Sequence, residues 1–375
     1  LAMFMQLLSQ LSLINLPTPT PVPATPTAVI APTQTATAVP PTAVPTSTSV
    51  ATAVPTSTPV PSATRTATRT ATQTATATRG VVIDNSDPTG FAVLGRPPAQ
   101  KLPSAILIYP LITSRPTEQT LVEMVNLTGS QVVVHCHYIR TDTCNGIDFS
   151  VRLTAHQPIA WNAGTGRDGN GNRVAPPFTG EAELKCFVQP SSTALSAHNA
   201  VQGRALVQDN TGQTIGYAAI GFRRLIPGSF SGDVELDGVT YEQCPDRLHF
   251  QALASTTGSD SEIILVPCEE DLLRLVPAQS AIQFAVINEF EQQFSGSIGL
   301  RCYSRTRFSN IPALRRSSVG TDTVHAIVRA VDVPVVGLVI DRFTVPGSNL
   351  PAAAANNPFL EGGRSATITI PHDNF

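Results

Sequence analysis

The sequence predicts an all-β protein: two tandem antiparallel β-sandwich (Ig-like) domains behind a disordered Thr/Pro-rich stalk. Three observations predict it. Short apolar runs rich in Val and Ile recur from Ser104 onward, separated by turn residues, without a convincing amphipathic helix. One pattern is written twice, which implies a duplicated unit. And a long tract ahead of these runs is almost purely Thr, Pro, Ala, Val and Ser.

A chain of 375 residues is too long for one ordinary core and suggests two or more domains. Residues 1–16 (LAMFMQLLSQLSLINL) are apolar and uncharged but too short to span a bilayer. They suit the end of a signal peptide, or the remnant of a membrane anchor. Residues 17–79 contain no acid and no aromatic ring, and their only charges are Arg65, Arg69 and Arg79. Such a segment buries too little apolar area to offset the entropy of ordering. Frequent Pro up to Pro61 favours extended polyproline-like backbone, so a semi-stiff spacer is expected, on the order of 150–200 Å long if extended. Dense Thr and Ser beside Pro also suits an O-glycosylated stalk. Residues 80–100 read as a linker.

The first domain is expected over residues 101–227. Strands are read at 104–112, 119–126, 131–140, 147–154, 179–188, 200–208 and 214–222, with Asp209-Asn210-Thr211-Gly212 as a hairpin turn. The second domain is expected over 228–345. Its strands are read at 246–254, 261–268, 271–276, 281–288, 294–303, 323–331 and 335–343. Residues 346–375 read as loop, with 365–370 (SATITI) as a last edge strand. The doubled pattern is hydrophobic–Arg–Leu, then Gln, then Phe–(Thr/Ser)–Gly, then Leu–basic–Cys–aromatic. It runs Val151-Arg152-Leu153 to Phe187, and again Leu273-Arg274-Leu275 to Tyr303.

The six cysteines, Cys136, Cys144, Cys186, Cys244, Cys268 and Cys302, fit structural disulfides in an oxidising compartment. The duplication suggests Cys136–Cys186 and Cys268–Cys302. Hairpin geometry offers rivals, Cys244–Cys268 and Cys136–Cys144, of which Cys244–Cys268 is the slightly favoured one. No C-x-x-C spacing suggests a zinc site.

The net charge of −3 and the lack of a dense Lys/Arg run give no reason to expect nucleic acid. Gly164-x-Gly166-x-x-Gly169 matches a dinucleotide loop only formally, because Pro176-Pro177 follow where a helix is required. Asp168, Asn170 and Asn172 have the opening spacing of a calcium loop, but Arg173 replaces the glycine and the closing Glu is missing. Trp161, the only tryptophan, stands just before this loop, where it could stack on a sugar ring or serve as core. His135 and His137 leave the same face of one strand and could hold zinc or copper with His156 as a third ligand. The bland reading places them on the solvent face. No nucleophile signature or H-E-x-x-H is present, and carboxylates are sparse; the densest group, Glu269-Glu270-Asp271, reads as a charged turn after Cys268. No catalytic residue and no cofactor are expected. The partner stays open, with an extracellular glycan or protein as candidates and a membrane only through the N-terminal segment.

The segments His135-Cys136-His137-Tyr138, Phe178 to Cys186, Cys244-Pro245, Val266-Pro267-Cys268 and Asn288 to Ser295 resemble a group of uncharacterised exported bacterial proteins. These carry a Thr/Pro-rich stalk before disulfide-bearing tandem β-sandwich modules. The resemblance implies architecture and a secreted or cell-surface location; it brings no activity, ligand or site residue. The expected function is a non-catalytic structural or adhesive module displayed on a stalk. The alternatives are a glycan- or metal-binding module and, further off, a hydrolase with a site assembled from distant loops.

Overall fold

The structure is a computed structural model that describes residues 102–189, 198–227, 233–344 and 351–371. The apolar segment 1–16, the stalk 17–79, the linker 80–100 and the boundary at 228 lie outside the described residues. The described chain is all-β, with sheets paired almost wholly antiparallel.

The first sandwich begins with β1 (Ile106–Arg115), β2 (Glu118–Asn126), β3 (Val132–Arg140) and β4 (Gly146–Leu153). It continues with β5 (Pro158–Asn162), β6 (Gly180–Val188), β7 (Val201–Asp209), β8 (Thr214–Ala218) and β9 (Ile220–Phe222). One layer runs β4-β3-β6-β1-β9 and the other β5-β2-β7-β8. β1 links them, pairing β9 at its start and β2 at its end. Its ladder to β6 slips between Tyr109 and Ile112, at Pro110, whose missing N–H cannot join a ladder. Between the layers lie Leu107, Tyr109, Val122, Met124, Tyr138, Trp161 and Leu184.

The second sandwich has a five-stranded sheet in the order β15-β14-β17-β11-β20. These strands are β11 (Arg247–Leu253), β14 (Gln279–Asn288), β15 (Gln293–Arg301), β17 (Thr323–Ala330) and β20 (Phe359–Glu361). Strict alternation in β14 turns Ile282, Phe284 and Val286 inward. The facing sheet is β16-β12-β18-β19, from β16 (Ser304–Arg307), β12 (Glu262–Pro267), β18 (Val335–Thr344) and β19 (Pro351–Asn356). A three-stranded sheet sets β21 (Ala366–Thr369) between β10 (Asp233–Leu236) and the two-residue β13 (Glu270–Asp271). So 365–370 is a central strand, not an edge. The strand expected at 271–276 is a turn instead. The Arg274 N–H donates to Asp271 Oδ1, Leu275 takes φ 56°, and Leu273, Leu275 and Val276 face solvent.

The two sandwiches share a junction. β1, β6, β12 and β18 are buried on both faces over most of their length. Ile106, Ile108, Ile139, Phe187 and Phe222 of the first sandwich join the core of the second. Ile264, Leu338 and Ile340 of the second join the core of the first.

All six cysteines are bonded, as Cys136–Cys186, Cys144–Cys302 and Cys244–Cys268. Cys136 and Cys186 are direct partners across β3 and β6. Cys268–Cys302 and Cys136–Cys144 are not formed. The reason is that the two copies of the sequence pattern take different places. Cys186 lies within β6, paired on both sides, whereas Cys302 lies just past the edge strand β15, in a left-handed conformation with φ 49°. That placement turns it toward Cys144 in the β3–β4 turn, across the junction.

Candidate functional site

Trp161 is not a surface ring. β5 lies against β2, with Trp161 opposite Val122, and the side chain is 0% exposed. Its indole Nε1–H donates to the Tyr138 hydroxyl at 2.7 Å, and Tyr138 stacks on Phe149 and Phe178. A buried indole needs such a partner, which leaves none of it for a sugar.

The Asp168 carboxylate closes its own loop. Oδ1 accepts the backbone N–H groups of Asn170 and Asn172, and Oδ2 accepts the Asn172 side-chain amide at 3.0 Å. These bonds, the Asn172 amide foremost, hold the carboxyl below its usual pKa. The geometry is that of a capped turn rather than an open set of ligands.

His135 and His137 are neither solvent-facing nor joined by His156. They are 2% and 3% exposed, and His156 sits on an exposed turn. Their rings pack edge to face with centroids 4.6 Å apart, and His135 Nδ1 lies 3.0 Å from Ser150 Oγ. Burial lowers the pKa of both; for His137, burial and the neighbouring His135 bring it to about 3. Both imidazoles are neutral at pH 7. Among the described residues, no group of three or more His, Cys, Asp or Glu is placed to hold a metal ion.

A second histidine pair escaped the sequence reading. His249 on β11 and His325 on β17 point out of the five-stranded sheet, with His249 Nδ1 3.3 Å from His325 Nε2. Glu361 on β20 binds the other nitrogen of His249. The three residues are separated by 76 and 36 positions, and only strand pairing joins them.

The richest convergence of charge lies at the junction. The Arg305 guanidinium reaches Glu118 at 2.9 Å, Glu181 at 2.7 Å and Glu262 at 2.8 Å. Arg342 reaches Glu262 at 3.0 Å and Glu118 at 3.3 Å. Burial pushes the Glu262 pKa up, but Arg305 and Arg342 outweigh it and hold the carboxyl below its usual value. Nearby, on the face of β6 that also carries Glu181, Lys185 lies 3.3 Å from Glu183 and 3.6 Å from Glu270 of β13. Lys185 and Glu183 are 0% exposed and Glu270 is 6% exposed. Burial raises the pKa of both carboxyls, against the pull of the Lys185 charge. The alternating charges of Glu181-Ala182-Glu183-Leu184-Lys185 were visible in the sequence; the partners that bury them were not.

The first sandwich also has an open cleft of about 760 Å³. Leu102, Val125, Ile159, Gly203, Ala218 and Ala219 contribute to its wall, and the Glu123–Arg204 ion pair lies at it. This volume falls within the range of small-ligand sites.

No protein-family model matches the chain, and no curated protein matches it. Fold and bonding therefore define the class: an all-β, sandwich-built protein stapled by three disulfides. Such bonds fit an oxidising extracellular environment. Among the described residues, no helix is long and apolar enough to cross a membrane, a statement that does not extend to strands.

Proposed function

We propose that the chain is a non-catalytic surface or secreted protein, in which a rigid double sandwich is displayed on a Thr/Pro-rich spacer for structural or adhesive work. The observation that carries this reading is the Cys144–Cys302 bond spanning a junction whose strands are buried on both faces. A head locked in this way suits a surface module that has to withstand pulling and shear. The titratable clusters at the junction are consumed in holding the halves together. The resemblance to exported stalked proteins points the same way.

A second reading is a ligand-binding module using the cleft of the first sandwich. Its apolar wall and single ion pair favour a small, mostly apolar ligand over a glycan, which has lost its stacking ring with the burial of Trp161.

The test uses the full chain immobilised under flow. Retention of cells or extracellular polymers, with no turnover on panels of esters, glycosides and peptides, is the expected result. Turnover that survives repurification would overturn it. Loss of retention in an Ala218→Trp variant, which fills the cleft, would select the second reading.

A further inference from the structure

We propose that Lys185 and Glu270 condense to an amide that joins the two sandwiches covalently, with Glu183 carrying the proton. The proposal does not depend on any ligand or surface named above.

Lys185 projects from β6, opposite His137 on β3 and Ile108 on β1, into the junction. No water reaches its ammonium group, which is 0% exposed. Glu183, two residues earlier on the same strand face, and Glu270, from the second sandwich, both reach its Nζ. Two carboxyls thus share one buried cation. Glu183 and Glu270 also hydrogen-bond each other, so one proton lies between two carboxyls beside one buried cation. Burying a charge costs several kcal/mol per ion. The same burial raises the pKa of both carboxyls, and their mutual hydrogen bond lets one proton pass from Glu183 to Glu270. A neutral acid is an electrophile, whereas a carboxylate repels a nucleophile. Amine and acid are held by strands of a packed core, the condition under which an intramolecular reaction gains high effective concentration.

The step balances without an oxidant or reductant. Glu183 passes its proton across their hydrogen bond to Glu270, then takes a proton from the Lys185 ammonium, and the freed nitrogen lone pair attacks the carboxyl carbon of the now neutral Glu270. A C–N bond forms. Glu183 gives that proton to the departing hydroxyl, the C–O bond breaks, one water leaves, and the second proton on the nitrogen passes to Glu183. Glu183 ends in the protonation state in which it began. Glu270 also lines a surface cleft of about 470 Å³, which gives that water a way out. A neutral amide replaces one buried cation and one buried carboxylate.

The experiment is peptide mapping of the full chain, folded, then reduced and denatured. The expected result is trypsin failing to cut at Lys185 and a branched peptide containing Lys185 and Glu270, lighter than the sum of its parts by one water, in the bulk of the molecules. Lys185→Met and Glu183→Gln should each yield the unlinked Glu270 peptide. The wild-type map decides even if a variant fails to fold. An unbranched Lys185 peptide, a linkage to Glu183, or a water loss placed elsewhere overturns the proposal.

Discussion

Cys144 and Cys302 are 158 residues apart, and their bond closes the junction from its rim, tying the β3–β4 turn of one sandwich to the end of β15 in the other. The other two disulfides each stay within one sandwich. The Cys144→Ser/Cys302→Ser double variant should keep both folds but lose about 2–4 kcal/mol of stability. Denaturant unfolding checks the loss. A second transition, as the halves separate, is the expected change in shape.

Arg305 neutralises three carboxylates from two sandwiches. Arg305→Met leaves Glu118 and Glu262 to the half-buried Arg342 and Glu181 to the exposed Arg115, an excess of buried negative charge that costs up to about 3–5 kcal/mol. Thermal unfolding should show it at pH 7. The deficit should shrink as pH falls through the carboxyl range, because protonation relieves the stranded charge.

The junction should make stability depend on pH in two opposite ways. His137 has a folded pKa of about 3, below the unfolded value of 6.5, so the unfolded chain binds more protons between them. Its contribution is complete above pH 6.5 and falls as pH drops toward 3, by roughly 1.4 kcal/mol for each unit crossed. Glu262, whose folded pKa is depressed, adds to the loss as pH falls below its unfolded value of 4.5. Glu183, whose folded pKa is raised, has the reverse sign: its contribution is complete below 4.5 and is lost as pH rises through its folded value. Unfolding free energies across pH 3–8 should therefore be flatter on the acid side in His137→Phe. An unchanged acid limb would exclude His137 as the cause.

Tyr138→Phe removes the acceptor of the Trp161 indole and leaves a buried N–H unpaired, at about 1–3 kcal/mol. Trp161 is the only tryptophan, so its native fluorescence reports the site directly. Native emission should be that of a buried indole, and it should shift in the variant before the protein unfolds.

Strands with clear apolar runs were legible in the sequence, β1 to β4 and β17 to β18 among them. β5 was missed because Pro158 and the polar residues around it hide a short strand that forms only by pairing β2. The turn at 271–274 defeated a strand reading because Leu273, Leu275 and Val276 are apolar yet exposed. The junction left one trace: ILIY in β1, IILVP in β12 and VVGLVI in β18 are continuous apolar runs, not alternating ones. Such runs signal burial on both faces. Which faces meet was not legible, because Lys185 and Glu270, or Arg305 and Glu118, become neighbours only once two sheets have stacked.

The placement of β21 sets the order of assembly. Its partners, β10 and β13, are made about a hundred residues earlier in the chain. Until residues 366–369 have been synthesised, Val234, Leu236 and the segment bearing Glu270 have no strand between them. The three-stranded sheet cannot form as the chain emerges; it waits for nearly the last residue described, and a chain stopped at position 345 would leave β10 and β13 without the strand that joins them.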